Sequence, residues 1–580
     1  MIKKLLANVG QYKKDSLLTP VFVAGEVALD VIMPLIMAMM IDQGVEKSNT
    51  SVILKLGGLL FFCALIALIF GALGGRTAAI ASAGFARNLR HNIFSRIQDF
   101  SFSNIDRFST SSLITRLTTD VTNVQNAYQM IIRILVRSPL ILIFSLIMVS
   151  FINPQLMLIY LAVLPFLAIG LAIVIHFAHP LFMKVFRIYD KLNNVVQENL
   201  QGIRVVKSYV REEQQEKVFD EVSTDVYKNF TKAQRIVAFN NPLLQISVYT
   251  CMLLLSWFGA QLIVDKSSLT TGELVSMFNY TMQILMSLMM MSMAFVQILI
   301  ARSSAERITE VLSEESDLKN DAQPLLEVAD GSISFDDVCF SYADDMEKLA
   351  LEHISLSIKS GEVIGLIGGT GSSKSTLVQL IPRLYDVTYG TVKVGGVDVR
   401  KYDLATLRDQ VSMVLQNNVL FTGTIKDNLR WGNESATDEE LIAACKTAQA
   451  DDFINEFPDK YDTMISQGGN NVSGGQKQRL TIARALLKKP KILILDDSTS
   501  AVDTKTDRAI REGLAKAIPG MTTLIISQRI SSIQDADRIV VLDDGKVNGI
   551  GTHAELLADN QIYQEVYQSQ QKGFGESGNE

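Results

Sequence analysis

Six apolar runs, each long enough to cross a lipid bilayer, lie in the first 300 residues of this 580-residue chain. A helix needs about 20 apolar residues to span the hydrocarbon layer. The runs cover residues 18–41, 55–84, 127–152, 156–179, 240–264 and 270–300. The first half is therefore predicted to be an α-helical polytopic membrane domain with six transmembrane helices.

The charges that flank these runs predict their orientation. Four lysines precede the first run: Lys3, Lys4, Lys13 and Lys14. The short loops on the opposite side carry only Lys47 and Lys266. Because lysine and arginine are enriched in cytoplasmic flanks, both termini are predicted to be cytoplasmic in a multi-pass plasma-membrane protein. The basic N-terminus lacks the pattern of a signal peptide, so no cleaved leader is predicted.

Two long connections, 85–126 and 180–239, lie on the same side as the termini. Their apolar residues recur at three- and four-residue spacing, which is typical of helices that are packed on one face. They are predicted to extend the spans as cytoplasmic helices. The bends near Phe102–Ser109 and Ser208–Glu213 are predicted to dock on a motor domain; the alternative is that they are tips of solvated helical hairpins.

The first and third predicted spans each carry two charged side chains, where a charge is costly. Glu26 and Asp30 are four residues apart in the first span and share one helix face. Arg133 and Arg137 have the same spacing in the third span, and Arg137 is at a depth similar to that of Asp30. The residues form either a site for a cationic substrate or a proton, or a structural ion pair between helices.

The second half alternates short apolar strands with charged helices, as in a soluble α/β domain. A polar stretch at 321–332 is predicted to link the membrane domain, 1–320, to this domain, 333–570. The tail, 571–580, is predicted to be disordered. The net charge of −7 is spread along the chain without a long basic tract, so no nucleic-acid partner is expected.

A glycine-rich turn between an apolar strand and a helix, GLIGGTGSSKSTLVQL, predicts a phosphate-binding P-loop. Gly368 and Gly371 let backbone N–H groups turn toward phosphates, and Lys374 supplies a charge for the β- and γ-phosphates. Ser375 is a candidate Mg²⁺ ligand. Ser373 stands where such loops commonly have glycine, and serine is expected to be sterically acceptable at a helix start. The nucleotide-binding candidates in this loop are Gly368, Gly369, Thr370, Gly371, Ser372, Ser373, Lys374, Ser375 and Thr376.

Two further segments predict groups that would act on a bound nucleotide. The apolar strand in KILILDDS ends in Asp496, which is predicted to hold Mg²⁺ through water. Upstream, in NNVSGGQKQRL, a serine and two glycines begin a helix and form a second anion cradle. This motif resembles the signature of the ATP-binding cassette (ABC) transporters, at Ser473, Gly474, Gly475 and Gln476.

The resemblance covers nearly the whole chain and implies a type-1 exporter membrane domain fused to an α/β P-loop nucleotide-binding domain, with ATP and Mg²⁺ as ligands. It implies that the signature faces a partner cassette's P-loop, so that each ATP lies between two cassettes. Three further positions match the family pattern. Tyr342 matches the aromatic residue that stacks on adenine. Gln416 matches the residue that touches Mg²⁺ and the membrane-domain contact, and Asp503 matches the acid of the D-loop.

Two positions depart from the family pattern and bear on hydrolysis. Asp497 stands where the family commonly has a glutamate, and Gln528 replaces a histidine. Aspartate is one methylene shorter, so Asp497 is expected to position an attacking water poorly. Glutamine cannot become cationic near a γ-phosphate. The segment SQGGNN before the signature also departs from the glutamate-containing stretch usual there.

An intact signature beside an altered hydrolysis site favours an asymmetric assembly. The chain is similar to the degenerate-site subunits of heterodimeric multidrug exporters of Gram-positive bacteria, which implies a partner half-transporter with glutamate and histidine restored. We expect an exporter of amphipathic or cationic drugs. The alternatives are a lipid or peptide exporter of the same architecture and an ATP-gated regulatory membrane protein.

Overall fold

The structure, a computed structural model, describes residues 1–265, 269–343, 345–498 and 500–575. The chain divides into two units: Met1–Asp99 with Ser109–Glu314, and Phe100–Phe108 with Glu315–Glu580. The predicted loop position Lys266 and the last part of the predicted tail, 576–580, lie outside the described residues.

Long helices build the N-terminal half of the chain. The helices are α1 (Ile2–Ala7), α2 (Lys13–Met40), α3 (Thr50–Gln98), α4 (Phe102–Arg107), α5 (Thr110–Thr115), α6 (Val121–Ile152), α7 (Pro154–Gln201), α8 (Ile203–Ser208), α9 (Glu212–Ala238), α10 (Asn240–Val264) and α11 (Thr271–Ser313). The π-helical turns Ile41–Val45 and Arg116–Asp120 follow α2 and precede α6. Of these, α4 belongs to the second unit.

The six predicted transmembrane helices are confirmed as α2, α3, α6, α7, α10 and α11, each long and apolar enough to cross a membrane. Helices α3 and α7 continue well beyond the predicted spans, and α9 precedes α10 as a polar helix. Local signals set the helix starts. Asn153 caps α7 ahead of Pro154, and Thr270 and Glu273 form a capping box at α11.

The two predicted docking bends have different local structures. At the first, Ser101 caps α4 in a capping box with Asn104. At the second, a tight turn joins α8 to α9, where Tyr209 and Val210 are exposed and Val210 has a φ of 51°. A β-branched residue in the left-handed region is strained. At this turn the Arg211 N–H donates to the Val206 carbonyl at 3.0 Å, which closes the end of α8 at the cost of that strain.

A polar seam joins α11 to α2 inside the apolar core of the first unit. Pro34 has no N–H group, so the carbonyl of Asp30 loses its intrahelical donor. The side-chain amide of Gln283 on α11 donates to this carbonyl at 3.2 Å. One turn away, the buried Tyr280 hydroxyl donates to the Val31 carbonyl at 2.7 Å. Because lipid offers no replacement donors, these contacts fix the bend of α2 against α11.

The second unit contains three sheets and the remaining helices. The strands are β1 (Ile333–Phe340), β2 (Leu351–Ile358), β3 (Val363–Gly368), β4 (Tyr389–Val394), β5 (Val397–Asp398), β6 (Val411–Val414), β7 (Gly423–Thr424), β8 (Met464–Ile465), β9 (Ile492–Asp496), β10 (Thr522–Ile526), β11 (Arg538–Asp543) and β12 (Lys546–Gly551). The helices are α12 (Lys374–Gln379), α13 (Leu404–Gln410), α14 (Ile425–Arg430), α15 (Asp438–Thr447), α16 (Asp451–Glu456), α17 (Gly474–Leu487), α18 (Thr504–Ala517), α19 (His553–Asp559) and α20 (Gln561–Gly575).

The central sheet has the strand order β12-β11-β3-β10-β9-β6. Its strands are parallel except for β12, which pairs with β11 in the antiparallel direction. A second sheet, β2-β1-β4-β5, is antiparallel, and β7 pairs with β8. The predicted α/β fold is confirmed. Buried aliphatic side chains of β3, β9, β10 and β11, including Leu366, Ile494, Leu524 and Val540, hold the central sheet.

Both ends of the second unit are more ordered than the sequence predicts. The linker 321–332 pairs with the rest of this unit, because the Leu325 N–H donates to the Lys401 carbonyl and the Leu325 carbonyl accepts from the Asp403 N–H, at 2.9 and 3.0 Å. Val328 is buried as well. Helix α20 extends to Gly575, so the first part of the tail predicted to be disordered is helical.

Replacing Gln283 with leucine is expected to lower the stability of the membrane domain by about 1 kcal/mol, because the Asp30 carbonyl then lacks a donor. Thermal unfolding in detergent measures this cost. In a Pro34→Ala background the cost is expected to shrink, since residue 34 regains its N–H. A Pro20→Ala background serves as the control. An equal cost of Gln283→Leu in all three backgrounds contradicts the assignment.

Candidate nucleotide site

Four loops meet at one edge of the central sheet. The P-loop follows β3, Asp497 follows β9, Gln528 comes shortly after β10, and Gln416 comes shortly after β6. These strands are parallel neighbours in the order β3-β10-β9-β6. Since the carboxyl ends of parallel strands lie at one edge, the topology brings these residues together. This edge is where open α/β sheets bind ligands.

The Lys374 side chain folds over its own loop. Its ammonium donates to the carbonyls of Gly368 and Gly369 at 3.0 and 2.8 Å, and to the Ser372 hydroxyl at 3.1 Å. Burial lowers the pKa of Lys374, while the charges of Asp496 and Asp497 oppose that shift. The positive charge is therefore held at the loop, at the N-terminus of α12, where anions are stabilised.

The shape of the P-loop fits a phosphate chain. A Cβ atom on Gly368 would collide with the Leu542 carbonyl and approach the Ser372 hydroxyl at 2.6 Å. Gly369 and Gly371 are exposed together with Thr370, and a Cβ on either glycine meets nothing within 4 Å. Gly371 has a φ of 87°, in the region that favours glycine. The loop thus keeps an open backbone face beside the lysine charge.

Ser373 corrects the expectation of an unstrained serine at the helix start. Its backbone is left-handed, with φ 65° and ψ 27°, and its side chain makes no capping hydrogen bond. An N-cap serine ordinarily has extended angles and accepts a bond from the first turn. The left-handed conformation costs an L-residue about 1–2 kcal/mol. The loop therefore imposes glycine geometry on a serine.

Ser375 and Asp496 lie together and fit a Mg²⁺ site. The Ser375 hydroxyl donates to an Asp496 carboxylate oxygen at 3.0 Å, and Asp496 is only 4% exposed. Burial raises the pKa of Asp496, and the nearby Asp497 charge adds to that shift. Oxygen ligands from a hydroxyl and a carboxylate are those that Mg²⁺ uses beside phosphates. A bound Mg²⁺ would neutralise phosphate charge at this point.

Asp497 is enclosed by polar groups and has a left-handed backbone, with φ 47°. Burial raises the pKa of Asp497, whereas the charges of Arg529 and Lys374 and a hydrogen bond from Gln416 oppose the shift. Arg529 in turn donates to the D-loop carbonyls of Ser500 and Val502, at 2.9 and 3.1 Å. The short carboxylate is thus held by Gln416 and faces a fixed cation.

The side chain of Gln528 is exposed, but its backbone is clamped. Gln570 on α20 donates to the Gln528 carbonyl at 2.6 Å and accepts from the Ile530 N–H at 3.0 Å. Sequence reasoning missed Gln570 and Arg529. Gln570 lies in a polar helix with no motif of its own, whereas the adjacency of Arg529 to Gln528 was a usable signal.

Tyr342 lies against the helix that follows the P-loop. Its hydroxyl is 2.9 Å from the Thr376 hydroxyl, and its ring packs edge-on against Phe340 and Tyr385. The side chain is 55% exposed, so its ring keeps a free surface. Such a face suits stacking of a base.

The signature motif packs on the D-loop. Ser473 and Gln476 form a capping box at α17, and a Cβ on Gly475 would lie 2.9 Å from the Ala501 carbonyl. The buried Gln478 accepts from the Ala501 N–H at 3.1 Å. A Cβ atom on Gly474 would lie 3.6 Å from the Cβ atom of the same Ala501. Asp503 caps α18 through the Thr506 N–H. Within the described residues the motif has no hydrogen bond to the P-loop of its own chain.

The charged cluster in the membrane domain contains an ion pair with two acids. Arg137 contacts Glu26 at 3.1 Å and Asp30 at 3.0 Å. The side chains are 33%, 13% and 24% exposed, respectively. Arg133 lies against Gly75 of α3, one helical turn from Gly71, against which Glu26 lies. The cluster joins α2 to α6 and pairs one guanidinium with two carboxylates.

Comparisons with known proteins match both halves. The family model of the ABC transporter transmembrane region matches residues 17–322, and that of the ABC transporter matches residues 351–500. The uncharacterized ABC transporter ATP-binding protein YfiB of Bacillus subtilis (strain 168) is 36% identical over the full length of both chains. This chain belongs to the ABC transporter family. The uncharacterized ABC transporter ATP-binding protein YknV of the same organism is 32% identical and covers 98% of this ABC transporter and 94% of its own chain.

A solved structure establishes the fold of this ABC transporter. The structure of a bacterial Atm1-family ABC exporter with ATP bound superposes with a TM-score of 0.83 at 23% identity, covering 97% of this chain and 98% of that one. The chain has the type-1 ABC exporter fold as a half-transporter, with one membrane domain and one ATP-binding domain. Its ATPase domain implies hydrolysis coupled to transport.

Ser373→Gly is expected to stabilise the ATP-binding domain by up to about 1 kcal/mol, because glycine adopts the left-handed conformation without strain. Thermal unfolding of the full chain checks this. Ser373→Ala is the matched control, since alanine keeps the strain and removes only the hydroxyl. The account is wrong if the glycine variant melts below wild type while the alanine variant does not.

Proposed function

We propose that the chain is the ATP-holding subunit of a heterodimeric exporter. Its own P-loop site binds MgATP and hydrolyses it slowly, and its signature motif completes the working site of a partner half-transporter. The observation that carries the proposal is Asp497, a short carboxylate engaged by Gln416 at the position where a general base would act.

The geometry around Asp497 supports slow hydrolysis. A general base must reach the attacking water within hydrogen-bond distance. Aspartate is one methylene shorter than glutamate, and here its carboxylate accepts a hydrogen bond from Gln416 and interacts with the Arg529 charge. Gln528 presents an amide in place of an imidazole, and Gln570 fixes its backbone. Binding groups are retained, whereas groups that act in the chemical step are replaced.

The signature motif supports a role toward a partner. Its capping box is complete, and Gly475 is required by the close approach of the Ala501 carbonyl. The free N–H groups at the start of α17 and the helix dipole favour an anion. A homodimer would combine two impaired sites with two good signatures. A partner with glutamate and histidine would use this signature at a competent site.

The membrane cluster supports cationic or amphipathic cargo. Two carboxylates share Arg137, so a second cation can pair with one of them. Arg133 lies beside α3, one turn of that helix from Glu26, and a cationic substrate or a proton would compete with Arg133 for that carboxylate. We place the protein in the plasma membrane with both termini cytoplasmic. A lipid or peptide exporter and an ATP-gated regulatory protein are the competing functions; uphill, ATP-dependent efflux of a cationic dye separates a pump from a regulator.

The double variant Asp497→Glu with Gln528→His is expected to hydrolyse ATP at least about 10-fold faster than wild type when the chain is purified alone, because both groups of the chemical step are restored. Phosphate release measures the rate, and binding of a fluorescent ATP analogue should be unchanged. Adding Ser473→Ala to the double variant is the control and should remove the gain. A wild-type chain that alone hydrolyses ATP as fast as the double variant would falsify the proposal.

Asp30→Asn is expected to reduce export of cationic dyes severalfold and to leave neutral dyes unaffected, since it removes one of the two carboxylates that share Arg137. Efflux from cells that express the chain with its partner measures both. Glu46→Gln, at an exposed position outside the spans, is the control. If the ratio of cationic to neutral transport stays constant and only thermal stability falls, the cluster is structural.

A further inference from the structure

The short helix α4 is anchored on the ATP-binding unit. Asn104 donates to the Glu315 carbonyl and to the Asp317 carboxylate, both at 3.3 Å. Ser103 donates to the same Asp317. The segment Phe100–Phe108 belongs to the second unit, although its neighbours in sequence belong to the first. Helix α4 is thus held by the ATP-binding unit, whereas α3 and α5, which precede and follow it in the chain, belong to the first unit.

Tyr385 lies between α4 and the aromatic residue of the nucleotide site. Its ring meets the Phe102 ring of α4 at 5.9 Å and 64°, and the Tyr342 ring at 5.3 Å and 89°. Phe340 contacts both tyrosine rings, at 5.6 and 4.9 Å. Edge-to-face contacts of this kind each contribute about 0.5–1.5 kcal/mol and have a preferred geometry. A shift of one ring therefore changes the packing of the next.

A hydrogen bond makes the contact between Tyr385 and α4 directional. The Tyr385 hydroxyl donates to a carboxylate oxygen of Asp106 at 2.6 Å. Burial raises the pKa of Tyr385, and the Asp106 bond and charge add to that shift, so the phenol stays a donor. Bonds from a hydroxyl to a carboxylate are short and about twice as strong as neutral ones. Phe102 and Asp106, one helical turn apart, thus hold the same side chain.

We propose that Tyr385 is a positioning residue that couples base stacking on Tyr342 to the position of α4. A base stacked on Tyr342 restricts that ring, Tyr385 packs edge-on against it, and the phenol carries the restriction to Asp106. By reciprocity, a change in α4 alters the affinity for the base by the same factor. The proposal rests on Tyr342 as the base-stacking residue of the proposed ATP site.

Hydrogen–deuterium exchange of the peptide 100–108, in the full chain in lipid nanodiscs, tests this coupling. Saturating MgATP is expected to slow its exchange about fivefold in wild type. Inorganic triphosphate, which has no base, should bind the P-loop and leave the peptide unprotected. Tyr385→Phe, which removes the donor, and Asp106→Ala, which removes the acceptor, should each abolish the protection by ATP, and the double variant should show no further loss.

Exchange of the peptide 100–108 and ATP affinity together distinguish failure of the coupling from failure of the Tyr342 assignment. Tyr402→Phe is the matched control, because Tyr402 donates a hydrogen bond to the Val394 carbonyl in the same unit, and it should keep the protection. ATP affinity is measured in parallel: Tyr385→Phe should weaken it by no more than the coupling factor of about fivefold, and Tyr342→Ala should weaken it further because the stacking itself is lost. Equal protection by triphosphate and ATP, or full protection in Tyr385→Phe, overturns the coupling. An unchanged ATP affinity in Tyr342→Ala overturns the assignment of Tyr342 itself.

Discussion

The parallel pairing of β3, β10, β9 and β6 is the constraint on which the nucleotide site depends. It places the P-loop, the acidic pair, the glutamine after β10 and Gln416 at one edge of a sheet whose strands are buried on both faces. Two of these loops contain a residue in a backbone conformation that an L-residue disfavours. Ser373 and Asp497 both have left-handed backbones. The sheet, held by its buried aliphatic core, compels these conformations and so stores strain where phosphate chemistry takes place.

That frame separates binding from catalysis. Every group that would hold MgATP is in place: the open backbone face of the P-loop, the Lys374 charge, and the pair formed by Ser375 and Asp496. The residues that would act in the chemical step differ from the glutamate and the histidine usual in the family. Asp497 is short and engaged by Gln416, and Gln528 cannot carry charge. Because the signature motif is built as completely as the P-loop, the chain keeps what it would offer to a partner, whereas the residues proposed for its own chemical step are altered.

Sequence reasoning reached the six spans and the motif residues because hydropathy and strand–loop–helix patterns are local. It did not reach features that depend on tertiary contacts. The left-handed backbone of Ser373 follows from loop closure against β3. The sharing of Arg137 by Glu26 and Asp30 follows from helix packing, whereas depth along the helices indicated only Asp30 as a partner of Arg137. The assignment of Phe100–Phe108 to the ATP-binding unit depends on bonds to Asp317 and Tyr385, far along the chain. Gln570 lies in a helix that no motif marks.

The most direct test of the central claim is the fate of nucleotide on each subunit during turnover. The assembled pair is incubated with photoreactive ATP labelled on either the α- or the γ-phosphate, cross-linked during steady-state hydrolysis, and its two chains are separated. The account predicts that this chain retains both labels, because its bound ATP stays intact, whereas the partner retains only the α-label. Loss of the γ-label from both chains at the same rate would contradict it.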